Sequence, residues 1–273
     1  ADTLEDVAVH LDGVAAPVAA ALGADPLPIA LHLAEPVARV LDADPAEAQR
    51  FGEGLRERGL SVRSLNAYPY RGFHGDCVKE AVFRPTWAEP ERATYTLACA
   101  RLLAIWLPEG TSGAISTVFG GPRGTDPEAV ATAVTETGLA LGRLRSETGR
   151  SIVLALEPEP STMVENAAEA AAFLEPVVDA LGRDRDLVGV CVDAAHHAVV
   201  WDAPDEVAAT YAAAGVVVGK VQASCALEAD PRDEATATAL APLCTSPWLH
   251  QVRAPAPGGG LLGVDDLPDL LTD

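Results

Sequence analysis

Lysine is nearly absent from this chain of 273 residues: of 19 cationic side chains only Lys79 and Lys220 are lysines, against 40 acidic ones. The net charge of −21 argues against a nucleic-acid partner and an anionic membrane surface, because both are held by clustered cations. Such Ala-rich, Arg-over-Lys usage fits codon bias or a salt-tolerant surface, and it says nothing about chemistry. Cysteine is scarce too. Cys77, Cys99, Cys191, Cys225 and Cys244 are odd in number, widely spaced and form no C-x-x-C pair. They argue against a disulfide framework or a thiolate zinc site and read as reduced thiols in a cytoplasmic protein. No apolar run approaches the roughly 20 residues that span a bilayer, so no membrane insertion is expected. The opening "ADTLEDVAVHLDG" has neither the basic region nor the apolar segment of a signal peptide. The composition leaves a homo-oligomer open.

What the chain has is apolar bulk in short, evenly spaced runs. With 49% hydrophobic residues it can bury a large core, and one α/β barrel would use its whole length. The runs at 27–34, 60–68, 113–119, 151–157, 187–193 and 215–224 read as strands. Between them "DPAEAQ", "AEPERA", "TDPEAV" and "APDEVA" place Pro and acids in the first turns of helices. Strand-helix pairs of this length without hairpin signals predict right-handed βαβ units and a parallel sheet.

A doubly wound sheet carries G-x-G-x-x-G after its first strand, and no strand here is followed by it. Polar residues instead mark the carboxyl ends of several strands, at Asn66, Ser116, Glu157, Asp193 and Gln222. Barrel enzymes gather their working groups at that rim, so the pattern predicts a TIM-type (β/α) barrel. Alternation puts Glu157 on one face with Ala155 and Val153, and Asp193 with Cys191 and Gly189. Small residues there suit a crowded barrel interior.

In "LVGVCVDAAHHAVV" the strand stops on Asp193 and His196 follows three residues later. An acid and an imidazole so spaced can share one cation. Equally, Asp193 can cap the next turn and leave His196 and His197 as ordinary loop residues. Glu157 closes the preceding strand in "LALEPEP", where two prolines fix the chain's exit. Three such residues on consecutive strand ends favour the shared site, with Glu157, Asp193, His196 and, in "WLHQV", His250 as candidate ligands. His250 can also be a satisfied core histidine.

A glutamate ending one strand followed by "VDAAH" ending the next resembles the xylose isomerase-like TIM barrels. These comprise sugar isomerases, sugar-phosphate epimerases and an AP-endonuclease branch with a D-x-x-H metal motif. "SLNAYPYRGFHG" (64–75), "VKEAVFRPTWAEPERATYTLACARLLA" (78–104), "AISTV" (114–118), "LALEPEP" (154–160), "KVQASCALE" (220–228) and "WLHQV" (248–252) are more similar to the Ebo-type metabolite-traffic branch. The resemblance implies a first strand with polar residues and a last strand with a glutamate ligand. Neither is evident, so residues 1–273 read as one barrel domain, expected incomplete at both ends. Where the superfamily often has a histidine, this chain has Lys220 and Gln222.

The resemblance implies a divalent metal ion (Mn, Mg or Zn) and a polyhydroxylated small-molecule substrate, isomerised or epimerised with either Glu157 or the glutamate of an eighth strand that is not evident here moving the proton. Lys220, costly on a buried strand unless paired, is expected to meet Glu157 or substrate. Asn66, Arg71, His74 and Gln222 are expected to bind substrate, although Arg71 and His74 can equally be solvated loop residues. The 70–87 loop would cover the barrel mouth as a lid. Two other readings stay open. One is a carrier of the Ebo type that binds a metabolite without turning it over; the other is a metal-dependent phosphoesterase, which wants three metals and more histidines.

Overall fold

In a computed structural model, which describes residues 3–71, 79–230, 232–245 and 247–271, several helices begin at residues that cap them. After α1 (Leu4–His10) and α2 (Ala16–Leu22), the order is β1 (Leu27–His32), α3 (Glu35–Ala43), α4 (Pro45–Glu57), β2 (Leu60–Asn66), α5 (Pro90–Trp106) and β3 (Gly113–Val118). Then follow α6 (Pro127–Thr148), β4 (Ile152–Glu157), α7 (Ala167–Leu181), β5 (Val188–Asp193), α8 (Ala194–Val199), α9 (Pro204–Ala213) and β6 (Val217–Gln222). The chain ends in α10 (Glu234–Leu240), β7 (Val252–Pro255), β8 (Leu261–Val264) and α11 (Leu267–Leu271). Asp44 and Asp126 accept from the first-turn amides of α4 and α6, with Pro at the first helical position of each, which satisfies donors that a helix start leaves orphaned. Gly149 closes α6 at φ 71°, a left-handed conformation in which glycine carries no Cβ penalty.

Strands β1 to β6 form one parallel sheet in sequence order, as expected, and helices α3, α5, α6, α7 and α9 pack side by side around its outside. The sheet is curled. A Cβ on Gly219 of β6 would lie 2.7 Å from Val153 Cγ1 and 3.3 Å from Ala155 Cβ of β4, whereas strands two apart in a flat sheet stand about 10 Å apart. Val153 and Ala155 therefore point inward with Glu157, as the alternation predicts. The architecture is α/β, a TIM-type barrel wall of six strands, and among the described residues β1 and β6 do not pair with each other.

Two departures bear on the site. The register shifts between β5 and β6 at Val190/Cys191, with Gly219 as the extra residue on β6. With this bulge Lys220 and Gln222 face inward, and Val218 and Val221, three apart, outward. The second departure is a hairpin. Strands β7 and β8 pair antiparallel and join no strand of the larger sheet, although no hairpin is expected from the sequence. Their connection "APGGG" closes with Ala256 N donating to Gly260 O at 3.0 Å, and Gly259 and Gly260 take φ of 91° and 77°. Among the described residues no helix is long and apolar enough to cross a membrane.

Candidate functional site

Parallel strands in a curled wall deliver their last inward residues to one rim, and here that rim is acidic. Glu157 ends β4, Asp193 ends β5 and caps α8, and His196 stands on the first turn of α8. Both carboxylates are buried, at 4% and 8% exposure. Ligand-capable atoms of Glu157, Asp193 and His196 all lie within 4.8 Å of one another.

The hydrogen bonds fix how these groups face. Asp193 Oδ1 accepts from the amides of Ala195 (2.9 Å) and His196 (3.3 Å) and from Ser224 Oγ (2.5 Å). The same residue thus caps a helix and faces the cluster. Gln222 Nε2 donates to Glu157 Oε1 at 2.8 Å and to Asp193 Oδ2 at 2.7 Å. His196 Nδ1 lies 3.1 Å from Pro158 O and 3.5 Å from Glu157 Oε1. A carbonyl only accepts, so Nδ1 carries a hydrogen, and in the neutral imidazole Nε2 then keeps its lone pair, an arrangement that suits a metal-binding imidazole.

Burial pushes the Glu157 carboxyl up to about 7; Glu159 and Asp193 add to the rise, while His196 and Lys220 oppose it. Burial also pushes Asp193 up, but His196, the Ser224 hydroxyl, the His196 amide and Gln222 outweigh it and hold the carboxyl below its ordinary value. For His196 burial works downward, and Glu159, Glu157 and Asp193 reverse it, so the imidazole sits above its ordinary value. Two hard carboxylate oxygens and one imidazole nitrogen fit a divalent cation such as Mn, Mg or Zn. The Gln222 amide already presents its positive edge to both acids, the service a cation would perform.

A cleft of about 180 Å³ opens beside this group, lined by Asn66, Tyr68, Pro69, Lys79, Val82, Glu157, Glu159, His196, Trp248 and Leu249. Asn66 Oδ1 accepts from Tyr68 N at 2.9 Å, and the Tyr68 hydroxyl donates to Glu159. Lys220 sits inside the curl, its Nζ donating to Ser116 Oγ at 2.9 Å, and its charge lowers the pKa of Glu157. Arg71 is exposed and does not line the cleft. His74 lies outside the described residues.

His250 does not join the cluster. Its amide donates to Asp266 Oδ1 at 3.0 Å, and its buried Nδ1 has no hydrogen-bond partner among the described residues. The chain at 248–250 is tied to the hairpin's base through that amide. Of the lid expected over 70–87, the described part brings Lys79 and Val82 to the cleft and anchors itself through buried Phe83 and Trp87, while Arg71, Glu80, Ala81 and Arg84 are exposed.

Glu159, Tyr68 and Ser224 also belong to the site; from the sequence Tyr68 has no firmer role than a loop residue that could shape the pocket, and neither Glu159 nor Ser224 is singled out. Each stands two residues beyond a recognised rim residue, at Glu157, Asn66 and Gln222 respectively, so strand periodicity carried past the strand end was the available signal. Arg92, 0% exposed, supports this rim. It donates to the carbonyls of Pro85, Ala67 and Tyr68 at 2.7, 2.7 and 2.8 Å, and burial lowers its pKa to about 10.

No family model and no curated protein matches the chain. Among solved structures it is similar to a xylose isomerase domain protein from Planctomyces limnophilus (18% identity, TM-score 0.48, covering 76% of this chain and 67% of that one). It is also similar to D-psicose 3-epimerase with D-tagatose from Clostridium cellulolyticum H10 (15%, TM-score 0.47, 76% and 65%) and to an IolI protein with a bound zinc atom (14%, TM-score 0.42, 70% and 60%). The chain thus spans 60–67% of the length of these structures.

Proposed function

We propose that the rim binds a divalent cation between Glu157, Asp193 and His196 and isomerises or epimerises a polyhydroxylated small molecule in the adjoining cleft. The observation that carries this reading is the convergence of two buried carboxylates and an imidazole with a free Nε2 beside an open cleft. When bound, the cation would polarise a carbonyl or hydroxyl of the substrate. The other steps belong to the chain's own groups. Glu157, pushed up to about 7, is poised to take and return a proton at neutral pH. Asn66 and Lys79 present polar groups to substrate hydroxyls, and Tyr68, Val82, Trp248 and Leu249 supply the apolar wall. Lys220 tunes Glu157 through its charge from inside the curl, and Gln222 keeps the two acids apart. Catalysis by Glu157 and Lys220, and substrate contacts by Asn66 and Gln222, are part of this proposal.

One observation favours a second reading. The Gln222 amide satisfies both carboxylates without a cation, as a non-catalytic metabolite carrier of the Ebo type would allow. A phosphoesterase is the weakest reading, because three ligating side chains are few for the metals it needs.

The test is elemental analysis after dialysis against Mn, Mg or Zn, followed by NMR of an aldose, ketose and inositol panel in deuterated water. Near-stoichiometric metal that His196→Ala lowers, with solvent deuterium appearing on a substrate carbon, supports the proposal. His197→Ala should keep its metal. Full metal content in both Asp193→Ala and His196→Ala overturns the site, and stoichiometric binding without deuterium incorporation selects the carrier.

A further inference from the structure

We propose that residues 247–266 are an ionic strap that gates the cleft, latched by Lys79–Asp266, Arg253–Glu165 and the contacts of Asp265, and released when those contacts are screened. The proposal requires that the cleft be where a ligand enters, not that any particular reaction occurs there.

Three observations converge on the strap. It reaches the site itself: Trp248 and Leu249 line the cleft, and Gln251 Nε2 donates to Glu159 Oε1 at 2.6 Å and to Pro160 O at 3.2 Å. When the strap lifts, the cleft loses a wall and Glu159 loses a partner.

Its fixings are mostly polar. Arg253, its side chain 5% exposed, bonds Glu165 Oε1 at 3.2 Å and Asp265 Oδ1 at 3.2 Å and gives Nη1 to Val264 O at 2.8 Å. Asp265 also accepts from Arg123 Nη1 at 3.0 Å and Ser161 Oγ at 2.7 Å, and Asp266 pairs with Lys79. The hairpin body has little apolar hold: Leu261 and Leu262 are exposed at 40% and 61%. A two-stranded hairpin alone is marginally stable, so these contacts decide whether it stays down.

The third observation is backbone strain. Among the described residues the non-glycine positions with positive φ are Lys79 (35°), Ser161 (75°) and Trp201 (62°). They stand on three separate loops, and each is bonded to the strap. Lys79 N donates to Pro247 O at 3.1 Å and its Nζ meets Asp266. Ser161 Oγ donates to Asp265, and Trp201 Nε1 donates to Arg253 O at 3.2 Å. Left-handed conformations are costly for side chains of this size and persist where surrounding contacts hold them. Three loops held in such conformations at the strap's contacts describe a latch that favours release once its charges are weakened. Closure of this kind would exclude water from a bound ligand.

The test uses the whole protein. Backbone hydrogen exchange read by mass spectrometry is compared at about 0.01 and 1 M KCl, where the screening length falls from about 30 to 3 Å. Protection over 247–266 should fall at least tenfold while β3 and β4 keep theirs. In the double variant Asp265→Asn/Asp266→Asn the same loss should appear at low salt. Modification of His196 by diethyl pyrocarbonate, mapped by mass spectrometry, should then rise several-fold. Protection over 247–266 that ignores salt, or is lost only together with β3 and β4, overturns the strap, as does unchanged His196 reactivity. If the variant does not fold, the salt series on the unaltered protein still decides.

Discussion

Strand β3 is buried at all six of its positions, whereas β6 leaves Val218 and Val221 exposed at 45% and 65% on its outer face. Both strands belong to one sheet and turn polar groups inward, yet the forces on their outer faces differ. Behind β3 lie α5 and α6, and the first of these buries Tyr95, Cys99, Leu102, Leu103 and Trp106. Beyond β6 the chain is held largely by hydrogen bonds and ion pairs. Two arginines with covered side chains, Arg92 and Arg253, show the same division. Arg92 binds backbone carbonyls within the packed wall, while Arg253 binds carboxylates at the root of the hairpin. Apolar burial responds little to salt and pH; ion pairs respond to both.

The largest break in this comparison should come from the packed wall. Leu154→Ala, at a position 0% exposed, should cost about 3–5 kcal/mol in urea unfolding, because the cavity it leaves cannot collapse between strands.

Next comes the acidic rim without metal. Glu157 is raised from 4.5 to about 7, so the folded chain keeps a proton that the unfolded chain has released. That contribution is complete below about pH 4.5 and is lost as pH rises through about 7, a change of up to about 3 kcal/mol. His196, also raised, acts in the same direction. Asp193, lowered, acts oppositely and loses its contribution as pH falls below its ordinary value. Thermal melts from pH 5 to 8 should therefore show stability declining with pH, and Glu157→Gln should flatten the decline. An equal slope in that variant would remove Glu157 as its source.

Arg253→Met should cost about 1–2 kcal/mol at low salt and less in about 1 M KCl, since screening weakens the pairs it removes. A salt-independent loss would mean that packing holds the hairpin. The smallest effect is expected at Val221→Ala, within about 0.5 kcal/mol. A cost approaching that of Leu154→Ala would show the outer face of β6 covered in solution, as in a homo-oligomer, and size-exclusion measurements would follow.

The wall was legible because strands buried on both faces read as continuous apolar runs, and because Asp44, Asp126 and the prolines after them announce helix starts. Glu157, Asp193 and Gln222 were legible as polar ends of apolar runs, and His196 as the return of the chain toward one of them. With Gln222 on the inner face, alternation places Lys220 there too; it is the outward turn of Val218 that depends on the bulge at Gly219, which strict alternation does not anticipate. The hairpin was not legible either. Its strands, "VRAP" and "LLGV", are short and mostly exposed, and they are held by partners as distant in sequence as Lys79 and Ser161. Such long-range charge contacts leave no periodic trace.

The scarcity of lysine gives the molecule two built-in reporters. Reductive methylation with carbon-13 would place side-chain dimethylamine resonances at Lys79, whose Nζ is tied to Asp266, and at Lys220, whose Nζ rests on Ser116 inside the curl. One signal would follow the hairpin's root and the other the electrostatic state of the buried acids, so these two peaks, told apart by pH titration from that of the labelled α-amino group, could time the two events against each other without mutating a residue.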